Sequence, residues 1–257
     1  MVNWNMLIDR WYFGLFLVGY GLFLVVRAHA LNDLRRYFRR DDRSPELDDA
    51  VSRRQELESL PLAAWYVPGI VDVLLGAGVL GGALSGIVGY GFGMCAFVTS
   101  LGISYLRLRN RGATRAAALS PRTLTSIVPL PWYPAAAVVS VAPLAFVDVP
   151  EFAVAAMLVT LAAIATFGFA IASNSMASIM PGRDPEIELY VDNRIRRCRV
   201  LGLFAVGMGV PLVFVAMAWA VTPGTLLHAS ATILVFVAWC GFVVPLLLRR
   251  VRIPRFL

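Results

Sequence analysis

The chain contains no lysine; all 23 of its basic residues are arginine. That absence excludes Schiff-base chemistry and lysine nucleophiles, and with them a retinal pigment held by the usual lysine linkage. An all-arginine set of cations fits a GC-rich prokaryotic genome. Charge is scarce as well: 15% of residues are charged, against about 25% in a typical soluble domain. Cysteine is limited to Cys95, Cys198 and Cys240, none of them in a predicted outer connection, so no structural disulfide is expected.

Motifs of chemistry are missing too. There is no His-x-x-x-His, no Cys-x-x-Cys and no carboxylate cluster in the apolar stretches, so neither a metal nor a cofactor is expected. His29 and His228 fall near opposite membrane faces and cannot easily share a haem. No Walker loop, nucleophile elbow or dinucleotide fingerprint occurs. No catalytic residue is assigned, and the chain reads as non-enzymatic. Gly89-Tyr-Gly91-Phe-Gly93 lies inside an apolar stretch, without the strand and helix that a phosphate site requires. It reads as packing, as do Gly78-x-x-x-Gly82 and Gly82-x-x-x-Gly86.

What the chain has instead is hydrophobic length. Apolar residues make up 59% of it, and the mean hydropathy is +0.72. A membrane span needs about 20 mostly apolar residues. Seven stretches qualify: 8–27, 67–84, 87–106, 130–148, 152–172, 200–221 and 226–248. Residues 67–106 are divided at the glycine-rich 81–86. Residues 13–30 resemble a signal peptide, but removing them would leave every Arg-rich segment outside. They are read as a retained first span.

The arginines support this division. Eight lie in 27–66, five in 107–129, five in 173–199 and four in 249–257, with Arg10 the exception. The intervening connections hold none. By the positive-inside rule the N-terminus lies outside and the C-terminus in the cytoplasm. The expected fold is an all-α polytopic protein of the cytoplasmic (inner) membrane with seven transmembrane helices. Its expected partner is a bilayer with anionic headgroups, not nucleic acid. Trp4, Trp11, Tyr12, Trp65, Tyr66, Trp132 and Tyr133 fall near the predicted interfaces, where aromatic belts form.

Two arms resemble each other. Arg43-Ser-Pro45-Glu46-Leu47-Asp-Asp-Ala-Val51-Ser-Arg-Arg54 aligns with Arg183-Asp-Pro185-Glu186-Ile187-Glu-Leu-Tyr-Val191-Asp-Asn-Arg194, at an offset of 140. Ser44 and Asp184 suit N-caps, Pro45 and Pro185 suit the first helical position, and Glu46 and Glu186 suit the positive helix end. Both arms are expected to begin helices that run on into spans 2 and 6. The same offset lays spans 1, 2 and 3 on spans 5, 6 and 7. A 3+1+3 plan with parallel halves follows: 1–129 as the first unit with a charged arm at 28–66, 130–148 as a linker span, and 149–257 as the second unit. In architecture alone this resembles small transporters such as the SWEET carriers.

Asp72 is the one acid within the interior of a span, about one turn from the cytoplasmic end of span 2 on the boundaries above. An ionisable residue there is a functional candidate by default. Arg27, at similar predicted depth, is its candidate partner in a structural ion pair. The positions 140 residues on are Phe167 and Leu212, so any such site is asymmetric. Ser173, Asn174 and Ser175 close span 5 and are candidates for lining a vestibule. Pro143 is expected to kink span 4, and Pro211 and Pro245 to bend spans 6 and 7. Helices are expected over 31–40 and 46–60. Segments 31–62 and 181–199 are candidate docking surfaces for partner subunits.

Two functions follow from different classes. One is a small-solute transporter or channel made of two three-helix units. The other is a non-catalytic subunit of a larger membrane assembly. A closed, apolar seam between the halves would argue against the first.

Overall fold

The computed structural model describes residues 4–38, 44–58, 62–110, 127–128, 130–175 and 185–221. These form helices α1 (Trp4–Asn32), α2 (Pro45–Glu58), α3 (Ala63–Leu80), α4 (Gly86–Asn110), α5 (Trp132–Val141), α6 (Pro150–Ser175) and α7 (Pro185–Val221), with short 3-10 helices at Leu34–Tyr37 and Ala142–Phe146. There is no strand among the described residues. Helices α3, α4, α6 and α7 are long and apolar enough to cross a membrane; Phe13–His29 and Trp132–Phe146 are shorter apolar stretches. The predicted span 226–248, with His228, Cys240 and Pro245, lies outside the described residues.

Local chemistry sets the helix ends. The division at 81–86 is a Schellman turn. The Gly82 amide donates to the Val79 carbonyl (3.0 Å) and the Ala83 amide to the Gly78 carbonyl (2.9 Å). Gly82 has φ +78°, a left-handed conformation that glycine adopts without penalty. This turn ends α3 four residues earlier than the hydropathy pattern implies. Arg10 lies over it, its guanidinium 3.0 Å from where a Cβ on Gly82 would stand. The one arginine outside the arms thus sits at the negative end of the α3 dipole.

At Pro143 the regular helix gives way to 3-10 geometry from Ala142, as a residue without an amide hydrogen requires. Pro211, by contrast, sits inside an uninterrupted α7. Among the expected arm helices, 46–60 corresponds to α2. Residues 31–40 do not form one helix: α1 stops at Asn32 and a 3-10 turn follows, with Asp33 accepting the Arg35 amide (2.9 Å) as its cap. The run-on into the next span holds for the second arm, where α7 is 37 residues long. It fails for the first. There α2 ends at Glu58 and α3 begins at Ala63, and the sequence between them carries Pro61, where the second arm has Leu201.

Close packing builds the body around α1 and α3, which run antiparallel. Gly14 and Gly21 on α1 meet Gly76 and Gly69 on α3; Cβ atoms on Gly69 and Gly76 would each stand 2.8 Å from the facing glycine's carbonyl oxygen. Helix α4 lays Gly89 against Val79 and Leu17, while Gly82 belongs to the turn. The core spreads from Phe13, Leu17 and Leu24 through Tyr90 and Phe97 to Phe152, Val159 and Phe214. The Tyr90 hydroxyl donates to the Val210 carbonyl at 3.0 Å, joining α4 to α7.

Candidate functional site

Asp72 is the tenth of the 18 residues of α3. It therefore stands near the helix midpoint, about 13 Å from the Ala63 end at 1.5 Å per residue, not one turn in. Its side chain is wholly removed from solvent (0%). Neither carboxyl oxygen has a hydrogen-bond partner among the described residues. The face of α3 that carries it is the packed one, shared with Gly69 and Gly76. Oδ1 lies against the backbone of Gly93 on α4, in the space that a Cβ there would fill, beside Leu17 of α1. Tyr20 of α1, next to the Gly21–Gly69 contact, stands at nearly the same level.

Arg27 is not brought to it. The glycine pairs set Gly21 opposite Gly69 and Gly14 opposite Gly76. That antiparallel register places Arg27 level with the start of α3, about 13 Å along the axis from Asp72. Arg27 is exposed. Its end of the two helices is instead joined by the Tyr66 hydroxyl and His29 Nε2, 3.4 Å apart.

The second polar cluster lies in the arms and was not singled out as a site from the sequence. Leu47, Ala50 and Val51 of α2 pack on Val191 and Ile195 of α7, with Leu34 and Phe38 closing the edge. Val51 and Val191 are the matched valines of the two similar segments. Above this apolar contact Arg54 pairs with Asp192, both side chains almost fully buried. Arg196 donates to the other Asp192 oxygen at 3.1 Å. Arg53 reaches Glu188 at 3.1 Å and also pairs with Asp49. The aligned segments do not announce these links: at the offset of 140 Asp192 matches Ser52 and Arg53 matches Asn193.

Arg196 also reaches the last described turn of α6. Its Nη1 donates to the carbonyls of Asn174 (2.6 Å) and Ser173 (3.3 Å), two of the carbonyls a helix end leaves open. Asn174 is buried, while Ser173 is half-buried and the side chain of Ser175 lies outside the described residues. These residues are thereby tied to the arms rather than to Asp72.

The contact between α4 and α6 is closed and apolar. Gly91 faces Ala155 and Leu158, Gly102 faces Phe169, and the Cys95 thiol donates to the Leu158 carbonyl at 3.6 Å. Among the described residues no group of three His, Cys, Asp or Glu could hold a metal ion. No known protein family matches the chain, and neither a curated protein nor a solved structure matches it.

Proposed function

We propose that the chain is an integral protein of the cytoplasmic membrane and that it acts as a small-solute transporter or channel, with Asp72 as its working group. Seven spans, an outside N-terminus and a cytoplasmic C-terminus complete this reading. The observation that carries it is the wholly buried, unpartnered Asp72 at the middle of α3. A charged side chain at mid-membrane is unfavourable by about 2.5–3.5 kcal/mol even on the mildest scale. A purely structural helix would be more stable with leucine there, the residue the offset of 140 places at 212.

Two three-helix units about a linker span belong to the same proposal. Two features support them. The packing of α1 on α3 parallels that of α6 on α7. The matched valines of the two arms also lie in one buried cluster. The closed, apolar α4–α6 contact argues against a path between the two units; on this proposal the path runs through the first unit, beside Asp72. Reconstitution into liposomes and a flux screen over small ions, sugars and amino acids tests the proposal. Wild type should move at least one solute and Asp72→Asn should not. Equal flux in the two overturns it.

The closed α4–α6 contact favours a second reading, a non-catalytic subunit docking its partner through 31–62 and 181–199. Native mass analysis after gentle extraction separates the two, since a folded monomer that still transports leaves no place for the second.

A further inference from the structure

We infer that the ligand of Asp72 is a proton, so that the closed arrangement of α1, α3 and α4 holds a neutral carboxylic acid and the coupling ion of transport is H+. The coupling half of this inference rests on the transport reading; the proton site does not.

The argument starts from what a cation needs. A sodium, potassium or divalent ion takes about six oxygen ligands in place of its water shell. Of the described residues, those placed against Asp72 are Leu17 and the bare backbone of Gly93, with the phenol of Tyr20 on α1 at nearly the same level of the α1–α3 crossing. With no metal-holding group of acids, histidines or cysteines among the described residues, a metal ion would stay largely unsolvated. A proton needs a single lone pair, and the carboxyl supplies it. Without a proton, an anion would lie there with no hydrogen-bond donor among the described residues, an unfavourable state for a buried group.

Among the described residues the neighbouring elements supply no alternative charge. From α1, the facing titratable group is Tyr20; Arg10, Arg27 and His29 sit toward the ends of that helix. From α4, Tyr90 gives its hydroxyl to Val210, and Cys95 is turned to Leu158. Gly93 completes the site by sparing the carboxyl a clash. It also makes the site conditional, since the oxygen touches α4 and any shift of α4 away from α3 opens it to water. Loading is then a simple transfer: one O–H bond of a hydronium ion breaks, one forms on Asp72, and a water molecule leaves. No electrons change hands.

Infrared difference spectroscopy on the full chain in lipid reads the site directly. At pH 7 wild type should show a carboxylic-acid C=O band that shifts in D2O and is missing from Asp72→Asn. Exchanging sodium for potassium or choline should leave the band unmoved. Aspartate labelled with 13C should shift the band in wild type, which assigns it to an aspartate even if the variant misfolds. Absence of the band at pH 7, or its loss on adding sodium, overturns the proton site. In liposomes a band without flux sinks the transport reading and leaves the proton site standing. Flux driven by a sodium gradient, with no band, does the reverse.

Discussion

Arg54 on α2 and Asp192 on α7, 138 residues apart, form an ion pair from which water is almost wholly excluded. Asp192 also receives Arg196 from its own helix, one turn on. One carboxylate thus balances two guanidinium groups at the junction of α2, α6 and α7. Removing one partner of a buried pair leaves the other charge unmatched, which is worth about 3–5 kcal/mol. Asp192→Asn should lose stability of that order in detergent denaturation. The double variant Arg54→Met, Asp192→Leu should recover only part of it, because it removes the Arg54 charge but still takes from the buried Arg196 its carboxylate. A single variant as stable as wild type would show that the pair is not formed.

Arg196 caps α6 as well as neutralising Asp192. Arg196→Gln should therefore speed amide hydrogen exchange where the arms and α6 meet, with the largest change over 171–175 and in α2. Exchange on α1 should be unchanged, since it shares no part of this cluster.

The glycines of the α1–α3 crossing are not equivalent to the others. Gly21→Val drives a side chain into Gly69 and Val73; overpacking of this kind usually removes about 1–3 kcal/mol. Gly19 has nothing within 4 Å of its Cβ position. Gly19→Ala should be neutral or raise stability by up to about 1 kcal/mol through helix propensity. Thermal unfolding of the two variants beside wild type checks both signs.

Glu46, in the first turn of α2, has its carboxyl held below the ordinary 4.5 by its own amide and by Ser44. A depressed folded value means that the stabilisation is present above the unfolded value and lost as pH falls through the folded one. The N-terminal turn of α2 should therefore loosen below about pH 4.5, and Glu46→Gln should remove that dependence. Amide exchange of residues 47–50 across pH 3–6 reads it.

Much of the helical plan was legible because it rests on local rules. The division at 81–86 follows from glycines that a left-handed turn needs. The start of α2 follows from Ser44, whose Oγ accepts the Leu47 amide at 3.2 Å. The α1–α3 crossing was less visible. Its glycines recur every seven residues, at 14 and 21 and at 69 and 76, whereas the pattern sought was a spacing of four. A repeat of seven says that a face is small but not which helix will cover it. Asp72 stands further from the start of its helix than the boundaries 67–84 imply, for a related reason. Hydropathy slides freely along 63–86, and the turn at Gly82 fixed where α3 ends.

The sequence by itself determined which stretches are apolar, where α2 starts and where the apolar run 67–106 divides, since capping, turn geometry and hydropathy act over a few residues. The pairing of charges was decided only in three dimensions. Arg27 and Asp72 sit on neighbouring helices, yet the glycine register sets them about 13 Å apart, while Arg54 finds Asp192 across 138 residues. An ion pair depends on the distance between two side chains, and that distance is set by how helices dock.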